Sequence, residues 1–146
     1  MAKDFILTNA VAQALANAIT TAADAGTGAV FNIYSAGSGV PADADVAIDD
    51  QTLLAQLAMS STSFGAATDG TGKATIAANS ISDDESANAT GTAAFFRVLT
   101  QDGGTVICQG TAGTSDADLV MDTTSITAGS TVSVSSFTID VPEQGS

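Results

Sequence analysis

The chain has 146 residues, of which 16 are acidic and only 3 are basic, giving a formal net charge of −13, with no histidine, no tryptophan and one cysteine, Cys108. That length suits a single domain, residues 1–146, with a core of its own. The charge excludes nucleic acid as a partner, since phosphate binding draws on cations that displace counterions, and excludes a bare anionic membrane surface for the same reason.

The opening Met1-Ala-Lys-Asp-Phe5 lacks the form of a secretory leader. The next segment is interrupted by Asn9, Gln13 and Asn17, so neither a leader nor a membrane span is expected. A helix is predicted over about residues 8–25, with Thr8 or Asn9 as N-cap and Gly26 as the stop. Val11, Leu15 and Ile19 recur at four-residue spacing beside Ala12, Ala18 and Ala22, a narrow apolar stripe suited to lying on a sheet.

From residue 29 the period changes to two. Ala29–Tyr34 is predicted as a strand with Phe31 and Ile33 on one face, and Thr52–Met59 as another with Leu53, Leu57 and Met59 together. Ser35 to Asp50, with Gly37, Gly39, Pro41 and four aspartates, reads as an exposed loop. A second Ser/Thr/Gly-rich connection covers residues 60–73. Ala74–Ala78 is a short strand, and Asn79–Asn88 is polar and holds the run Asp83-Asp84-Glu85.

Two strands then flank Gln101-Asp-Gly-Gly104, a hairpin signal whose turn calls for positive φ angles. In the first of them Ala94, Phe96 and Val98 share one face, and Phe95, Arg97 and Leu99 the other, so that strand is expected to be central, covered on one side by the second sheet and on the other by the helix or a neighbouring subunit. Further strands are predicted over Asp118–Met121 and Thr131–Val141. In the last, Val132 and Val134 are even-numbered while Phe137, Ile139 and Val141 are odd, which implies a bulge or a change of sheet at Ser135-Ser136. The fold expected is mainly β: an antiparallel, jelly-roll-like β-sandwich with one N-terminal helix packed on it.

Chemistry is sparse. Without histidine the usual general base and the commonest transition-metal ligand are missing, and one cysteine makes neither a thiolate zinc site nor an intrachain disulfide. Cys108 reads as a packed structural thiol. The two glutamates, Glu85 and Glu143, fall in exposed segments, so no paired-carboxylate hydrolase is expected, nor any cofactor. The aspartate clusters have the oxygen ligands that calcium takes, but not the spacing of an EF-hand; solvated turns are the simpler account. Arg97, the only arginine, then needs a structural partner for its donors. A salt bridge is expected, to Asp118 or Asp122 on the strand after the hairpin, or to Asp24 at the helix end. A surface poor in charge and rich in Ala, Ser and Thr implies a subunit that buries part of itself against neighbours.

The run Ala89-Thr-Gly-Thr-Ala-Ala-Phe-Phe-Arg-Val-Leu-Thr-Gln-Asp-Gly-Gly104 resembles a family of small virion proteins of tailed bacteriophages. So do Gln109-Gly-Thr-Ala-Gly-Thr-Ser-Asp-Ala-Asp-Leu119 and Thr124-Ser-Ile-Thr-Ala-Gly-Ser-Thr-Val-Ser-Val134. Phe31-Asn-Ile-Tyr34, Pro41-Ala-Asp-Ala-Asp45 and Thr52-Leu-Leu-Ala-Gln-Leu57 extend the likeness over most of the chain. The resemblance implies a capsid decoration protein, made in the host cytoplasm and placed on the capsid exterior. It would bind the major capsid protein and associate with itself, most simply as a homotrimer. A tail or head–tail connector component, or a virion-displayed glycan-binding module, is the alternative, although one tyrosine and no tryptophan leave little surface for stacking sugars.

Overall fold

The computed structural model describes residues 5–144. The chain is a mainly β sandwich with one N-terminal helix. Helix α1 spans Asn9–Ala23, capped by Thr8, whose hydroxyl accepts a hydrogen bond from the Val11 N–H at 3.4 Å. Among the described residues ten strands follow: β1 (Ala29–Tyr34), β2 (Leu53–Ala58), β3 (Thr68–Gly70), β4 (Lys73–Ala77), β5 (Gly91–Thr92), β6 (Phe95–Thr100), β7 (Val106–Gly113), β8 (Leu119–Val120), β9 (Ser125–Ile126) and β10 (Thr138–Pro142).

The main sheet has the order β2-β1-β6-β7-β8, antiparallel except for its last pair, β7 and β8. A three-stranded sheet, β10-β4-β3, packs against it, and β5 pairs with β9. As the alternation of large residues on both faces implies, β6 is the central strand and all six of its residues are buried. Its even-numbered side chains face the core, where Phe31 stacks on Phe96 at 4.7 Å between centroids and Phe137 meets both edge-on at 5.1 Å. Gly110 lies opposite Phe96 on β7, and a Cβ there would approach the ring to 2.7 Å, so only glycine lets the aromatic lie over the strand.

Several expectations are corrected. The helix turns Ala12, Ala16 and Ala23 into the core, with Ile19 beside them, and leaves Val11 and Leu15 about half exposed. The four phenylalanines Phe31, Phe64, Phe96 and Phe137 already fill the core, and only an alanine face brings the helix close enough to β4 and β10. In β2 and just after it, Leu57 and Met59 are buried as expected, but Leu54 and not Leu53 joins them, because the register with β1 shifts between Ile33 and Tyr34 and two β2 residues oppose one. The hairpin turn carries one positive φ, at Gly103, with the Gly103 N–H bonded to the Thr100 carbonyl at 2.7 Å. The change of sheet implied within Thr131–Val141, by contrast, is present. Val132 makes an isolated bridge to Asp84, residues 133–137 lie in no strand, and β10 begins at Thr138 in the smaller sheet.

Candidate functional site

Arg97 lies on the odd-numbered face of β6, away from the aromatic core, and is 3% exposed. The register aligns Gln56, Asn32, Arg97 and Gln109 side by side across β2, β1, β6 and β7. These four form a polar rung. Gln56 donates to the Asn32 side-chain carbonyl at 3.0 Å, Asn32 donates to the Tyr34 hydroxyl at 3.0 Å, and Arg97 Nε donates to Gln109 Oε1 at 2.9 Å. On one side of the rung Tyr34 stacks on Phe95 at 5.1 Å; Val30 pairs with Leu99 on the other.

The remaining donors reach into the loop between β1 and β2. Arg97 Nη2 donates to the Val46 carbonyl at 2.6 Å and to the Asp43 carbonyl at 3.3 Å, and Gln109 Nε2 donates to the Pro41 carbonyl at 2.9 Å. The loop therefore folds back over the outer face of the sheet and buries Pro41, and is not the free excursion its composition suggested. Its ends are tied by the Ser35 N–H to the Thr52 carbonyl at 3.0 Å.

No carboxylate takes part. The predicted salt bridge from Arg97 to Asp118, Asp122 or Asp24 is absent among the described residues, where the only ion pair is the half-exposed Lys73–Asp140 at 2.6 Å. Asp118 accepts from the Thr111 N–H at 2.8 Å and from its hydroxyl at 2.9 Å, Asp24 accepts from the Ser63 N–H at 2.6 Å, and Asp122 lies beside a surface groove. The face that Arg97 occupies is covered by the backbone of the β1–β2 loop and not, as expected, by the helix or a neighbouring subunit, so carbonyl dipoles solvate the cation there. Sequence alternation placed Arg97 on this face, and polar residues within otherwise apolar strands (Asn32, Gln109) were the signal for the rung. Nothing local marks the carbonyls of Asp43 and Val46.

The aspartate clusters serve turns. Asp43 accepts from the Asp45 and Val46 N–H groups, Asp84 from Gln56 and Ser86, and Asp50 from Ser38. The hydrogen bonds from Ser38 hold the Asp50 carboxyl below its ordinary range. Among the described residues no three His, Cys, Asp or Glu side chains converge on a metal position. Cys108 is partly buried on β7, and burial pushes its thiol up to about 11.

Two surface features lack partners among the described residues. One is apolar: Phe5 (74% exposed), Ile6 (62%), Val11 and Leu15, beside a helix without a single charged residue. The other is the groove at Asp122. Comparison with protein-family models, with curated proteins and with solved structures finds no match to this chain.

Proposed function

We propose that this chain is a non-enzymatic structural protein of a tailed-phage virion, which decorates and stabilises the capsid exterior by binding the lattice of the major capsid protein. The observation that carries this reading is the contrast between an uncharged apolar face, Phe5, Ile6, Val11 and Leu15 with helix α1, and a chain that otherwise holds a net charge of −13. Exposed apolar side chains on an acidic protein are suited to docking against a partner. The acidic remainder suits a position outside the shell, away from packaged DNA. The same face serves self-association, since two copies meet there without opposing carboxylates, and a trimer fits the three-fold positions of an icosahedral surface.

The rigid support of that face agrees with such a role. The alanine stripe clamps the helix to β4 and β10, and Asn9 ties its start to Asp69 at 2.9 Å. The test is cryo-electron microscopy of the particle whose genome encodes this chain, with a Leu15→Glu variant beside the wild type. Density on the outer shell that is lost in the variant is expected. Density in the tail, or shell occupancy untouched by the variant, refutes the assignment.

A further inference from the structure

The main sheet does not end at β2. Beyond it the Ser82 N–H bonds the Ala58 carbonyl at 2.8 Å, the Asn88 N–H bonds the Leu54 carbonyl at 2.8 Å, and Met59 bridges Ile81. The segment 80–88 is in turn bonded to 129–132: Val132 and Asp84 exchange both backbone hydrogen bonds, at 2.8 and 3.0 Å, and the Ala87 N–H bonds the Ser130 carbonyl at 2.9 Å. The order around the curl is therefore β8, β7, β6, β1, β2, segment 80–88, segment 129–132. Its two ends, 119–123 and 130–136, line opposite parts of one groove of ≈ 360 Å³. The sheet curls almost into a barrel and stops short of closing.

Both banks of the groove present free backbone. In an antiparallel pair a residue that exchanges both bonds turns its N–H and C=O to its partner, and its neighbours turn theirs the other way. Val132 faces Asp84, so Thr131 and Ser133 face away from it. Among the described residues no hydrogen bond within the chain engages the backbone N–H of Thr131 or of any residue from Ser133 to Ser136. On the other bank β8 is the terminal strand of its sheet, with its inner edge on β7 and, among the described residues, no strand on its outer edge. The floor is formed by the buried Leu119, Ile126, Val132 and Val134, while serine, threonine and backbone atoms make up the larger share of the groove's surface.

We propose that this groove is a docking site for an extended segment of a different protein, which enters as a β-strand and closes the sheet. Only a peptide backbone offers alternating donors and acceptors at the repeat that two strand edges require. Its inward side chains, at every second position, are apolar to match the floor. Charge selects against a second copy of this chain: Asp122 is the only charged side chain lining the groove, and the protein carries −13, so a strand with lysine or arginine is favoured and an acidic one repelled. The site is separate from the apolar helix face and stands whether or not the virion assignment holds.

The test is selection of a displayed library of random peptides on the full chain, with counter-selection on Ser133→Pro and, separately, Ser135→Pro. The fold makes no use of either N–H, so both variants keep the wild-type melting temperature, while proline removes a donor from the proposed ladder. Enriched peptides that alternate apolar residues with polar or basic ones, that protect amides of 119–123 and 131–136 from exchange, and that bind the proline variants roughly tenfold or more weakly uphold the proposal. Equal binding to the variants, protection elsewhere, or no enrichment overturns it. It is equally overturned if a glycan array binds in place of peptides, or if the proline variants abolish self-association, which would make a second copy the occupant. Should either variant melt early, the amide-protection map of wild type with the enriched peptide decides alone.

Discussion

Replacing Arg97 with methionine keeps the stem of the side chain and removes its donors. Two well-formed bonds are lost, Nη2 to the Val46 carbonyl at 2.6 Å and Nε to Gln109 at 2.9 Å, with a weaker one to Asp43 at 3.3 Å. Charge-assisted bonds contribute roughly 1.5–3 kcal/mol each, so the gross loss from the two strong ones is about 3–6 kcal/mol. Removing a cation that has no carboxylate partner offsets part of this, because burying a guanidinium is itself costly, and the freed loop carbonyls regain water. A net destabilisation of about 2–4 kcal/mol follows, or a fall in Tm of roughly 5–15 °C for a domain of this size. Urea unfolding measures the first and calorimetry the second. The effect is also local: amide exchange over residues 41–47 should accelerate first, since those carbonyls lose their anchor. Arg97→Lys retains the charge but not the planar fork, and should recover less than half the loss. A variant with methionine that melts and exchanges like the wild type refutes the anchoring role. Asp118→Asn reproducing the defect would show that an ion pair, and not the carbonyls, holds the arginine.

Two predictions concern pH. The Lys73 ammonium and then the Thr75 hydroxyl hold the Asp140 carboxyl below its ordinary range, and the Thr100 hydroxyl and then the Gly104 N–H do so for Asp102. Carboxyls depressed in the folded state stabilise it above the unfolded pKa of about 4 and lose that contribution as pH falls through the folded value. The stability difference between wild type and Asp140→Asn should therefore be present at pH 6, below about 1 kcal/mol for so exposed a pair, and vanish near pH 2; a difference that persists in acid contradicts the ion-pair origin. Cys108 has the opposite sign. Burial raises its thiol from 9.0 to about 11, so its contribution is complete below pH 9 and declines as pH rises through 11. At pH 8 the native thiolate fraction is about 100-fold below the unfolded one, and Ellman's reagent should label the folded chain correspondingly slowly. Native labelling as fast as in urea would show that the thiol is not sheltered, and Cys108→Ala should flatten the loss of stability between pH 9 and 11.

Elements whose cause is local could be read from the chain before any packing was known. A helix start at Thr8 or Asn9, the strand Ala29–Tyr34, and a central strand for the two apolar faces of Phe95–Thr100 all follow from local pattern, because a period of two leaves no other place for those faces. The parity change between Val134 and Phe137 likewise announced the break before β10. Tertiary structure alone decided which face of the helix is buried, since the volume left beside four phenylalanines admits alanine at Ala12 and Ala16 and not the larger Val11 and Leu15. It also decided what satisfies Arg97. A buried guanidinium states in the sequence only that acceptors must exist; whether they are carboxylates or carbonyls depends on which segment folds across that face. The segment that does so supplies backbone oxygens of Asp43 and Val46, and a backbone carbonyl has no residue type by which the sequence could announce it.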